Sequence, residues 1–267
     1  MIDKNLLIEK IRNQPELFDK KCLDSKKIIV ENWFESLRDK ICDNFLTLEK
    51  SINNKTENFV YNQSSVIPRF IKTKWKRDVD GGGGVMSLMR GKLFEKVGVN
   101  ISTVYGKLSD DFKKEIPGAE NNGKFWATGI SVVAHMYNPK IPAAHMNTRF
   151  IVTGEGNAKK YWFGGGCDLT PMLPDIKAKK TFHTHLETMC DKFDKDFYKN
   201  FKLWCDNYFY LPHRDEHRGV GGIFFDYFNN YEWEKDLKFV KSVGLTFLNT
   251  FNKIVDERKF RQFSQQD

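Results

Sequence analysis

The sequence predicts an α+β protein of one domain built on a mainly antiparallel sheet, and three observations carry this. From Ile28, the apolar residues Ile29, Trp33, Leu37, Ile41, Phe45 and Leu48 recur every three or four positions, the spacing of an amphipathic helix. Strand-like runs then dominate from about 99 to 163: VNISTVYG, FWATGISVVAH, HMNTRFIVT and YWFGG. These runs are consecutive with short connections, which favours antiparallel pairing over repeated βαβ units. Helical texture returns afterwards, and helix, then strands, then helices is an α+β order.

Taken in order, residues 1–27 read as a polar helical extension and 28–267 as the domain proper. A polar loop is expected at 50–67, followed by the glycine-rich segment KWKRDVDGGGGVMSLMRGKLFEKVGVN. Asn-Pro and Ile-Pro between 135 and 145 supply turn signals inside the strand region. HTHLETMCDKFDKDFYKNFKLWCDNYFYL, from 183 to 211, predicts one or two long helices, and a second glycine loop, HRGVGGIFFDY, follows. Leu237, Val240, Gly244, Phe247, Phe251 and Val255 mark a last amphipathic helix over about 233–257.

The bulk numbers narrow the function classes. At 267 residues, 40% hydrophobic and with 23 phenylalanines, the chain can bury a sizeable core. No run approaches the roughly 18–20 apolar residues of a membrane helix. The N-terminus carries Asp3, Glu9 and Glu16 and no small-residue cleavage site, so a cytoplasmic location is expected. Cys22, Cys42, Cys167, Cys190 and Cys205 are scattered, which excludes CxxC zinc or redox motifs and an iron–sulfur triplet. They read as reduced, mostly packed thiols. Net charge is +8, but KTKWKR at 72–77 is the one dense patch. A polyanionic small molecule suits that charge, and nucleic acid is not expected.

All six histidines fall between His135 and His217. In HMYNPKIPAAHMNTRF and the strand before it, alternation puts Ser131 and His135 on one face of a hairpin. His145, Asn147 and Arg149 share a face on the return strand, with Met146, Thr148 and Phe150 opposite. If the strands pair, the five polar groups form one patch. The alternative is the exposed polar face of an ordinary hairpin. GGGG at 81–84, GGG at 164–166 and GVGG at 219–222 either let a ligand approach the backbone or make tight turns. Asp168, after WFGGGC, either accepts ligand N–H groups or caps a turn with Thr170. Arg149 and Arg218 suit a ligand with several carboxylates, whereas Arg214 fits surface pairing with Asp215 and Glu216. His135, His145, His183 and His213 can surround a metal, although their spacing matches neither HxH nor HExxH.

WKRDVDGGGG, FEKVGVNIS, GISVVAHMYNPKIPAAHMNTRF, WFGGGCDLTP, FHTHLETMC and DNYFYLPHRDEHRGVGGIFFDY closely resemble, in order, the oxygen-dependent coproporphyrinogen III oxidases. The resemblance runs from about residue 28 to 257. It implies a large antiparallel sheet flanked by α-helices on both sides, in a homodimer. It also implies decarboxylation of two propionates of coproporphyrinogen III to vinyl groups, giving protoporphyrinogen IX in heme biosynthesis. Molecular oxygen is then the co-substrate, with no organic cofactor. By motif, Ser131, Asn147, Thr148, Arg149 and Arg218 resemble substrate contacts, His145 the proton donor, and Asp168 the carboxylate facing the pyrrole N–H groups. His135, His145, His183 and His213 match histidines assigned to a divalent metal in bacterial members, and metal dependence varies within the family.

One departure accompanies the resemblance. Family members continue past the last helix with an Arg-Gly-Arg-Tyr strand, an acidic glycine turn and a Gly-Gly-Arg segment, where this sequence ends FRQFSQQD. Two other classes therefore stand beside the oxidase: a tetrapyrrole-binding protein without catalysis, and a different histidine-liganded metal enzyme. Oxygen-dependent turnover separates the first from the oxidase, and chelator-sensitive activity on other substrates would mark the second.

Overall fold

The computed structural model describes residues 3–15, 20–52, 67–79 and 81–264, so most of the loop expected at 50–67 lies outside the described residues, as do residues 16–19 and Asp80. Six strands that follow one another in sequence make a meander: β1 (Ile71–Lys76), β2 (Gly81–Met89), β3 (Phe94–Lys107), β4 (Lys124–Met136), β5 (Ala143–Thr153) and β6 (Lys160–Thr170). A later strand, β9 (Gly222–Phe228), adds beside β6 and completes a seven-stranded sheet, antiparallel throughout. Between β6 and β9 come helices α4 (Ile176–Cys190) and α5 (Phe197–Tyr208) and a short hairpin of β7 (Tyr210–Leu211) and β8 (Glu216–His217). Helices α1 (Lys4–Arg12) and α2 (Lys20–Lys50) precede the sheet, α3 (Asp110–Glu115) joins β3 to β4, and α6 (Trp233–Asp256) follows β9.

The expected α+β class and antiparallel sheet are present. Two glycine runs expected to make turns are strand instead. Gly81–Gly84 open β2 and pair on both sides, with β1 and with β3. A Cβ at Gly83 would stand 2.2 Å from the Trp75 carbonyl oxygen, so the close approach of β1 calls for glycine there. Gly164–Gly166 lie inside β6. In the third run, Gly219 and Gly221 adopt positive φ in a turn, while Gly222 starts β9.

Burial divides the sheet into two unequal faces. Ile130, Val132 and Ala134 of β4, Ala144, Met146 and Phe150 of β5, and Phe163, Cys167 and Leu169 of β6 are all buried in the main core. Helices α2, α4 and α6 cover that side, and the stripe expected on α6 is buried, with Leu237, Val240, Phe247, Phe251 and Val255 each at most 4% exposed. Phe45 of α2 meets Phe94 at 5.0 Å and Phe251 at 5.7 Å between ring centroids, tying both helices to β3. Each such fully buried aromatic contributes about 1.5–3 kcal/mol. The expected helix from Ile28 begins earlier, at Lys20. Helix α1 is docked, not free: its Ile11 is fully buried against Trp162 and Tyr227, on the face away from the main core.

One buried carboxylate fixes the β2–β3 turn. Glu49, 1% exposed near the end of α2, accepts the backbone N–H groups of Lys92, Leu93 and Phe94 at 2.5–3.2 Å. Glu49→Ala strands those donors, and its expected cost is about 3 kcal/mol in urea unfolding. A loss under about 1 kcal/mol would mean that water replaces the carboxylate.

Candidate active site

The second face of the sheet is where the polar residues collect. Strands β4 and β5 pair with Ser131 opposite Asn147, Gly129 opposite Arg149 and Val133 opposite His145. Across the next pairing, His145 stands opposite Asp168, Asn147 opposite Gly166 and Arg149 opposite Gly164. Alternation therefore places Ser131, His135, His145, Asn147, Arg149 and Asp168 on one side of three adjacent strands. The His135 and His145 rings meet edge to face at 5.9 Å. This face is open to solvent at its β2–β4 part, where Met86 is 41% and Val133 38% exposed. At its margins, α1 covers Trp162, and Tyr208 of α5 stacks on Phe224 at 4.1 Å.

A chain of charged contacts crosses the face from β5 to the loop before β9. Asp168, 2% exposed, accepts Arg218 Nη2 on Oδ1 at 2.7 Å and Arg218 Nε on Oδ2 at 3.2 Å. Oδ2 also lies 3.2 Å from His145 Nδ1. Arg218 Cζ in turn lies over the Phe209 ring, 3.7 Å from its centroid. Asp168 thus lies within β6 and does not cap a turn. It is a buried hinge between a fixed cation and an imidazole, a geometry that holds Nδ1 and leaves Nε2 of His145 for proton transfer. Arg149 is also paired, with Nη2 2.6 Å from Asp226 Oδ2. Arg214 takes the surface pairing expected of it, 3.3 Å from Glu216.

Residues 29–267 match the family model described as coproporphyrinogen III oxidase. The chain belongs to that family. It is 50% identical over 234 residues to the oxygen-dependent coproporphyrinogen-III oxidase of Rickettsia rickettsii (strain Sheila Smith), covering 88% of this chain and 79% of that protein. The Rickettsia akari (strain Hartford) protein of the same name is 49% identical with the same coverage. That of Rickettsia bellii (strain RML369-C) is 48% identical over 232 residues, covering 87% and 78%.

Within this coproporphyrinogen oxidase fold, three of the expected site residues stand apart from the polar face. Thr148 points to the buried side, 0% exposed, with no partner for its hydroxyl. The alternation along β5 already put it there, so the sequence pattern, not the motif, gives its position. His183 lies in α4, with Nδ1 3.0 Å from the Tyr198 hydroxyl and Nε2 2.8 Å from the Val220 carbonyl oxygen. Burial lowers its pKa, which keeps the ring neutral and structural at pH 7. His213 is exposed in the β7–β8 turn. Among the described residues no three His, Cys, Asp or Glu side chains are placed to hold a metal ion. The four histidines therefore do not fit a common metal site.

Two residues of the face escaped the sequence reading. Asn100 of β3 stands opposite Ser131, with its Oδ1 buried and unpartnered. Asn147 has the same property: Nδ2 donates to Ile130 O at 3.0 Å while Oδ1 is unpartnered. Asn100, Ser131 and Asn147 thus form a polar row across three strands. The second is Asp226, a lone and partly buried acid in the apolar run IFFDYF, and a charge in such a run calls for a partner. Cys42, Cys167, Cys190 and Cys205 are buried and form no disulfide, as expected of packed thiols, whereas Cys22 is exposed; burial pushes Cys190 and Cys205 up to about 12.

Proposed function

We propose that the protein catalyses the oxygen-dependent conversion of coproporphyrinogen III to protoporphyrinogen IX, and that the open face is where it does so. The observation that carries this reading is the Arg218–Asp168–His145 chain beside the Asn100–Ser131–Asn147 row, in a chain of the coproporphyrinogen oxidase family. Each propionate that becomes a vinyl group releases carbon dioxide, one proton and two electrons. Two propionates release four electrons, which reduce one O2 to two waters, and that reduction consumes more protons than the substrate supplies. A proton donor is therefore required, and His145 takes that role at Nε2. Asp168 holds Nδ1 and fixes the orientation of the ring. Arg218 acts through Asp168, because its Nε and Nη2 are both engaged there. Arg149 receives a propionate, and Ser131 and Asn147 meet the polar parts of the macrocycle. A flat, four-carboxylate substrate suits a sheet face and a chain of net charge +8.

The reading extends to a homodimer in the cytoplasm. Strand β1 supports the first, as an edge strand of six exposed residues that include Ile71 and Trp75. The buried thiols Cys42, Cys167, Cys190 and Cys205, none of them in a disulfide, support the second. No described helix is long and apolar enough to cross a membrane.

Incubating the folded protein with coproporphyrinogen III in air and under nitrogen, then oxidising and separating the fluorescent porphyrins, tests the activity. The divinyl product is expected in air alone. Binding of the tetrapyrrole with no oxygen-dependent product would overturn the oxidase reading in favour of a binding protein.

A further inference from the structure

Strand β9 breaks register at one point. Phe163 pairs with Phe228 and Gly165 with Phe225, so Asp226 and Tyr227 together face the single residue Gly164. Tyr227 takes φ 51°, a left-handed conformation that non-glycine residues avoid and that persists where surrounding structure imposes it. A bulge of this kind re-aims a side chain. Here it aims the Asp226 carboxylate, whose Oδ1 accepts the Tyr227 N–H at 2.9 Å and whose Oδ2 accepts Arg149 Nη2 at 2.6 Å. The pair lies directly over Gly164, where a Cβ would stand 2.5 Å from Asp226 Oδ1 and 2.8 Å from Arg149 Nε. From outside, the Tyr227 ring stacks on Trp162 at 5.5 Å, and Ile11 of α1 packs against both.

These contacts leave Arg149 with a defined donor set. Nη2 is engaged, Nε is buried without a partner, and Nη1 is neither hydrogen-bonded nor fully buried. We infer that Asp226 is a positioning residue: it fixes the Arg149 guanidinium on the open face so that its remaining donors meet a substrate carboxylate. A flexible arginine side chain loses rotamer freedom when it grips a ligand, and an internal carboxylate that holds it beforehand lowers that cost. The bulge, the left-handed Tyr227 and Gly164 all serve this one ion pair. The inference rests on the reading of Arg149 as the group that receives a propionate.

Steady-state kinetics on coproporphyrinogen III test it with Asp226→Ala, Arg149→Ala and the double variant, each checked for folding by thermal melting. Asp226→Ala is expected to raise KM about tenfold with kcat nearly unchanged, the loss of roughly one charge-assisted contact. Arg149→Ala is expected to raise KM at least as much, and the double variant no further, because the two act as a unit. If Arg149→Ala raises KM while Asp226→Ala does not, the positioning role fails and Arg149 stands alone. A lower KM for Asp226→Ala would make Asp226 a competitor for the guanidinium, which also overturns the inference. An unchanged KM for Arg149→Ala would remove the propionate reading and the inference together. Should Asp226→Ala fail to fold, the isosteric Asp226→Asn carries the same test, with the same KM rise expected.

Discussion

Replacing Asp168 by asparagine is expected to lower turnover of coproporphyrinogen III by about a hundredfold or more while the protein stays folded. The carboxylate serves two partners with two oxygens, accepting from Arg218 on both and meeting His145 Nδ1 on Oδ2. Asparagine keeps the shape but offers one acceptor and one donor. Whichever way its amide turns, either Arg218 or the Nδ1–H of His145 meets an N–H group instead of an oxygen. The imidazole then loses the acceptor that fixes its orientation, and with it the alignment of Nε2 for proton donation. The measurement is kcat by product fluorescence, with a thermal melt on the same sample. Turnover within a few-fold of the unmodified protein would take Asp168 out of the reaction. Alanine is the less informative change, since it also opens a void beneath the face.

The largest expected loss of stability lies far from the site. Arg258, fully buried just after α6, donates to both oxygens of Asp175, Nε at 2.6 Å and Nη2 at 3.0 Å, and a third bond from Nη1 reaches the Ile254 carbonyl oxygen. Asp175 also caps α4 by accepting the Ala178 N–H at 2.8 Å. The pair therefore clamps the end of one core helix to the start of another. Removing Arg258 leaves Asp175 only the more exposed Arg261, 3.5 Å from its Oδ2, so Arg258→Ala is expected to cost about 4 kcal/mol in denaturant unfolding. The pair also sets an acid limit. Its hydrogen bond from Arg258 holds the Asp175 pKa below the ordinary carboxylate value, with burial opposing. Stability from a depressed carboxylate is present above its unfolded pKa, about 4, and is lost as pH falls through the lower folded value. The unmodified protein should lose this contribution below about pH 4, and Arg258→Ala should lack that part of the pH dependence. Equal stability of the two proteins at pH 7 would refute the clamp.

Much of this fold is legible where side chains report on both faces of a strand. Ile130, Val132 and Ala134 alternate with Ser131 and His135, and the paired strands keep that division in the folded sheet. The glycines of β2 carry no such signal, because residues without side chains cannot show which face is buried. Strand β9 was hidden for another reason: GIFFDYF is apolar on both faces and bulged, so its period fails. At the site, residue types and faces were readable, but pairings were not. Arg149 and Arg218 look like free cations in sequence, and only the closure of β9 on β6 brings Asp226 and Asp168 to them. Thr148 shows the opposite lesson, since alternation alone puts its side chain on the buried face.

That closure has a consequence for folding. Strands β1 to β6 each pair with the next in the chain, so the meander can form through contacts between sequence neighbours, with α3 inside the β3–β4 connection. Strand β9 reaches β6 only after α4, α5 and the small hairpin, a closure across a much longer stretch of chain. Arg149, Asp168 and His145 belong to the early part, while Arg218 and Asp226 arrive with the late one. A chain that has formed only the meander therefore holds half of each ion pair. Function becomes a report on the final docking event, and conditions that loosen β9 should silence the protein before they melt its sheet.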